Sequence, residues 1–244
     1  MAVAHGSTDP RAAASVDALL RLVRTRAARA GYPGLDVRAA YLGHAAPSIG
    51  QALAVLDGDG VVLPLLLTAA YHSKTDIPKA LREARAARPR LDITYGSPLG
   101  PHPLLRRALD RRLAEAGTAA PPGETAVILA AAGSSDPAAN AVISDLAADW
   151  RAARGWRAVL PAYASAASPT PAEAVAAARR AGARRVLVAS YLLSPGVFAD
   201  QVRRDCLAAG ATAVAPVLGA APEVADVLLG RYAESLTGGA AAAV

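Results

Sequence analysis

A single cysteine, Cys206, leaves no partner for an internal disulfide, and the cytoplasm is the expected location. It also argues against structural zinc, which usually takes four protein ligands, often thiolates. Aromatic residues make up only 4% of the chain. That scarcity disfavours nucleic-acid binding, which wants a basic stripe interleaved with stacking rings. Lysine is nearly missing too, with only Lys74 and Lys79. The arginines of LLRRALDRRL (104–113) and EARAARPR (83–90) mix with acids and read as solvated helix faces. No apolar run reaches the roughly 18 residues that a membrane span requires. The start, MAVAHGSTDPR, has no basic segment leading into a long apolar one, so no secretory signal is expected. Neither G-x-G-x-x-G after the first strand nor a P-loop occurs, which counts against a nucleotide-binding protein.

What the chain does have is 53% hydrophobic residues against 19% charged, enough to bury a core. The net charge of +6 gives a positive field that favours an anionic small-molecule ligand. Strand-like and helix-like segments alternate, as in a parallel sheet covered by helices. Strands are predicted near 1–4, 35–42, 60–67 and 91–96, with helices near 9–31, 47–57, 75–88 and 102–117. AGTAAPPGET (116–125) reads as a linker. Beyond it strands are predicted near 126–132, 157–163, 184–192 and 212–217, and helices near 136–154, 170–182, 197–209 and 221–236. The tail GGAAAAV is expected to fray.

The second series repeats the first. AHGSTDPRAA (4–13) matches AAGSSDPAAN (131–140), and YLGHAAP (41–47) matches YASAASP (163–169). LLLTAAYHSKTDIP runs roughly parallel to YLLSPGVFADQV, and LGPHPLL to LGAAPEV. The expected fold class is therefore α/β, two tandem domains at 1–117 and 124–238, each a small parallel sheet flanked by helices. All four histidines (His5, His44, His72 and His102) lie in the first copy, each after a predicted strand. Their counterparts are Ala132, Ala166, a position near Phe198, and Ala221. Ligands of open parallel sheets bind at the carboxyl ends of the strands. Two or three neutral imidazoles there suit a divalent first-row metal, and a sparse set leaves coordination positions open for handing it on. His5 and His72 are the favoured pair. His44 and His102, set among Ala, Pro and Gly, read better as structural or solvent-exposed.

At AHGSTDP and PLLLTAAYHSKTDIP the sequence resembles the class II chelatases, which insert Fe²⁺ or Co²⁺ into sirohydrochlorin. The likeness extends through AYLGHAAPSI, YGSPLGPHPLL and YLLSPGVFADQV, nearly the whole chain. It implies two chelatase-like domains, no nucleotide requirement, and His5 and His72 as metal-holding and catalytic residues. It implies no tightly bound cofactor, Fe²⁺ or Co²⁺ entering as substrate, and a tetrapyrrole partner, the protein being a monomer or homodimer. No nucleic acid or membrane partner is expected. The carboxylate-rimmed tetrapyrrole suits donors in the turns at Gly6-Ser7, Ser73-Lys74 and Ser134. A non-catalytic metal or tetrapyrrole carrier on the same fold stays open as the alternative. Three departures stand out: Gly43 occupies a position where family members often carry an acid, the first strand is short, and the histidine-rich stretch of some members is absent. His44 or Asp76 would have to serve in place of the missing carboxylate.

Overall fold

The computed structural model describes residues 1–56, 58–69, 72–117 and 121–238. The chain divides into two compact units, Met1–Leu104 with Gly219–Val244, and Leu105–Leu218. The first unit contains β1 (Ala2–Ala4), α1 (Pro10–Arg29), β2 (Ala39–Tyr41), α2 (Ile49–Ala54), β3 (Gly60–Pro64), α3 (Ile77–Ala87) and β4 (Ile93–Tyr95). A π-helical turn, His72–Asp76, precedes α3. All strand pairs are parallel, in the order β2-β1-β3-β4. The order reverses direction between β1 and β3, so the crevice at their carboxyl ends is the expected ligand position. His5 follows β1 directly, and the chain leaving β3 leads to the turn that begins at His72.

Local chemistry explains these elements. The Asp9 side chain accepts the Arg11 N–H at 2.9 Å, and Pro10 takes the first helical position of α1. Ala12, Val16, Leu19, Leu20, Val23 and Ala27 recur every three or four residues and are buried. Beneath α2 and α3 the core gathers Val3, Ala40, Leu53, Val62, Ile77 and Leu81.

The second unit continues with α4 (Pro103–Glu115), β5 (Thr125–Ala131), α5 (Pro137–Arg154), β6 (Ala158–Tyr163), α6 (Pro171–Arg180), β7 (Arg185–Tyr191), α7 (Val197–Ala208) and β8 (Ala213–Val214). Its strands run parallel in the order β6-β5-β7-β8, the same topology as the first sheet. The last helix, α8 (Pro222–Leu236), belongs to the first unit, whereas α4 from Leu105 onward belongs to the second. The compact units are thus drawn differently from the repeats at 1–117 and 124–238. In the first unit Asp226 of α8 takes two hydrogen bonds from Arg26 of α1, at 2.5 and 2.6 Å. Tyr32 and Tyr232 meet edge to face, with ring centroids 5.2 Å apart. A side chain at Gly96 would collide with Leu63 Cδ2 and Ser235 Oγ, both 2.4 Å from a Cβ placed there. In the second unit Asp110 of α4 accepts the indole N–H of fully buried Trp150 at 3.0 Å.

The order of elements matches the sequence expectation throughout, with the main differences in length. β2 is confined to Ala39–Tyr41 because the stretch before it turns through Leu35 N–H to Tyr32 O. The linker expected at 116–125 ends in a 3₁₀ turn, Pro122–Glu124; its residues 118–120, like the tail from 239, lie outside the described residues. No helix among the described residues is long and apolar enough to cross a membrane.

Candidate active site

The site is built from the turn after β1. Gly6 has φ +91°, and a Cβ there would lie 1.7 Å from Gly43 O, so only glycine fits. Leu42 N–H donates to Ala4 O at 3.0 Å and Gly43 N–H to His5 O at 3.1 Å. The two turns are therefore locked together, one carrying His5 and the other His44. His44 itself has φ +59°, a left-handed conformation that costs a non-glycine residue roughly 1–2 kcal/mol. Both histidines are exposed.

They line one pocket of about 480 Å³ within the first unit. Its lining also includes α3 and the turn before it, through Asp76, Lys79 and Glu83. Those spacings of three, four and seven put all three on one side of the helix. Lys79 Nζ stands 4.0 Å from Glu83 Oε1, a loose and exposed pair. The pocket floor includes Tyr41, whose hydroxyl pKa is raised by burial and then by Asp17.

The tautomer of His5 follows from its partner. Nδ1 lies 3.1 Å from Gly6 O, a carbonyl that only accepts, so that contact requires the proton on Nδ1. In the neutral ring that leaves the lone pair on Nε2, the nitrogen suited to a metal or a proton. His102 is the opposite case. Its Nδ1 accepts the Leu104 N–H at 3.1 Å, capping the start of α4. Burial foremost, with Arg231 adding to it, holds its pKa below the ordinary histidine value.

The other expected residues fall as follows. His72 opens the π-helical turn, and its side chain lies outside the described residues. Ser73 is buried, and its carbonyl accepts the Tyr95 hydroxyl at 2.7 Å, with burial pushing the Tyr95 pKa up to about 12. Lys74 is exposed. The N-cap of α3 is Asp76, whose side chain makes no capping hydrogen bond. The Ser7 hydroxyl accepts the Asp9 N–H at 3.1 Å. Ser134 lies in the second unit after β5; its Oγ accepts the Asp136 N–H and its own N–H is taken by Asn140 Oδ1. The pocket also brings in Lys79 and Glu83, which sequence reasoning did not single out. The acid–base spacing on α3 was the available signal. Among the described residues no three His, Cys, Asp or Glu side chains cluster to hold a metal.

A parallel, twice-repeated sheet with imidazoles at the carboxyl edge of one copy defines a duplicated α/β protein with one histidine-bearing site. The CbiX family profile matches residues 1–116 and again 126–235, and the chain belongs to that family. It is 33% identical over 141 residues to a sirohydrochlorin cobaltochelatase of Priestia megaterium, a match covering 57% of this chain and 46% of that protein. A sirohydrochlorin ferrochelatase of the same organism is 28% identical over 169 residues, covering 68% of this chain and 63% of the relative. The matched stretch is thus about half to under two thirds of these relatives' length. In fold the chain is similar to SirB from Bacillus subtilis, solved with Fe³⁺, at a TM-score of 0.77 and 21% identity, covering 96% of this chain and 94% of that one.

Proposed function

We propose that the protein inserts a divalent metal, Fe²⁺ or Co²⁺, into sirohydrochlorin without ATP, a lyase reaction serving siroheme or cobalamin synthesis. The observation that carries this reading is His5, set directly after β1 at the carboxyl edge of the sheet, where it lines with His44 a pocket of about 480 Å³. The names of the two Priestia megaterium relatives support it. Insertion exchanges two pyrrole N–H protons for one metal ion, so the site must present a partly desolvated cation and accept protons. Neutral imidazole does either near cellular pH. In this reading His5 and His72 hold the substrate metal, and one of them takes a proton. Gly6, Ser7, Ser73 and Lys74, all in the first unit, serve the carboxylate rim. The reaction takes place in the cytoplasm, the protein acting as a monomer or homodimer.

The test is to mix purified protein, sirohydrochlorin and Co²⁺ or Fe²⁺ without ATP and follow the absorbance spectrum. Insertion clearly faster than in the protein-free mixture is expected. A bound-ring spectrum with no acceleration would instead identify a carrier, and the enzymatic reading would fall.

A further inference from the structure

We infer that His44 is a metal-binding imidazole additional to the His5 and His72 of the proposed function, and that beside His5 it forms part of a landing site for the divalent ion inside the first unit. The inference deepens the proposed function and rests on it for the identity of the ion. It starts from a control that the molecule contains. The turn holding His44 recurs in the second unit, where Ala166 adopts φ +57° against +59° for His44. Ser165 N–H donates to Ala132 O as Gly43 N–H does to His5 O. Tyr163 N–H donates to Pro169 O as Tyr41 N–H does to Pro47 O, each at 2.9 Å. The backbone therefore takes this shape with alanine at both positions. Neither imidazole is needed to build the turns.

What the imidazoles do is face a shared space. His5 and His44, both exposed, line one pocket together with Asp76 and Glu83. Exposed imidazoles accept a first-row divalent ion without a desolvation penalty, and water completes the coordination. A site with few protein ligands is weak enough to release its ion, as transfer to a ring demands. His102, the remaining histidine whose side chain is described, is tied to the α4 backbone instead.

The experiment titrates the full-length protein with Co²⁺ in the absence of tetrapyrrole, reading affinity and stoichiometry. His44→Ala folds, because alanine already occupies the same conformation at Ala166. His44→Ala and His5→Ala should each weaken Co²⁺ binding at the same single site by at least about tenfold, whereas His102→Ala leaves it unchanged. Partial recovery in His44→Asp, which tolerates the left-handed backbone and supplies a carboxylate oxygen, would support a ligand role. Wild-type affinity in His44→Ala, or two independent sites each lost with one histidine, would overturn the inference. Insertion assayed separately distinguishes the two claims. Co²⁺ binding through His44 without insertion by the wild type removes the chelatase reading and keeps the site. Insertion with unaltered binding in His44→Ala removes the site and keeps the reading.

Discussion

The turn after β1 and the turn after β5 have nearly the same backbone and different chemistry. Gly6 and Gly133 sit at φ +91° and +87°, and a Cβ on either would lie within 2 Å of a carbonyl oxygen, at 1.7 Å from Gly43 and 1.9 Å from Ser165. Asp9-Pro10 and Asp136-Pro137 start the following helices with the same side-chain cap at 2.9 Å. Where the first turn and its neighbour carry His5 and His44, the second pair carries Ala132 and Ala166. The glycines and caps are thus the requirements of the fold. The histidines are additions to it, and the first copy alone has them.

The sharpest way to break this pairing is to separate the copies. A fragment ending at residue 117 keeps the first repeat but loses α8, which packs on α1 and β3 in the first unit. It should lack a cooperative thermal transition, because the faces of α1 and β3 that α8 covers are left bare. A fragment melting like the intact protein would show that the repeat, not the compact unit, folds. Next in size, Gly6→Ala and Gly133→Ala should each destabilise by on the order of 3 kcal/mol or more, since the new Cβ meets backbone that cannot yield. Chemical denaturation measures this. A loss below about 1 kcal/mol at either site would mean the two turns are looser than they look.

His5→Ala and His72→Ala should leave stability near the wild type and lower the insertion rate by about 10²-fold, the scale of a lost acid–base group. Stopped-flow absorbance with sirohydrochlorin and Co²⁺ gives the rate. An unaffected His5→Ala enzyme would make the difference between the two turns incidental.

Much of this was legible in the sequence. The element order came from alternating periodicity and the repeat from matched turn residues. The assignment of α4 and α8 to opposite units was not legible, because an apolar stripe such as Leu105, Leu109 and Leu113 shows that a face is buried but not against what. Nor could His44 be told from His102. His44 and His102 sit in equally bland Ala, Pro and Gly surroundings. What separates them is a left-handed backbone at one and a 3.1 Å hydrogen bond at the other, neither written in residue types.

The smallest expected effect isolates that structural histidine. His102 caps α4 through a bare Nδ1, which only the uncharged ring presents, whereas its counterpart Ala221 starts α8 with no side-chain cap. Replacing a capping side chain with alanine costs about 1 kcal/mol. Its pH dependence follows from the lowered pKa, set first by burial and then by Arg231. The folded protein favours neutral His102 more than the unfolded chain does, so between the two pKa values the unfolded state binds more protons. The contribution is therefore complete above the unfolded value of about 6.5 and is lost as the pH falls through the depressed folded value. The measurement is the stability difference between wild type and His102→Ala by denaturant titration at pH 8 and pH 5. It should be about 1 kcal/mol at the higher pH and shrink at the lower, with insertion rate unchanged at pH 8. A difference that stays constant with pH would mean that the fold does not favour the neutral ring, and an insertion rate that falls at pH 8 would return His102 to the site.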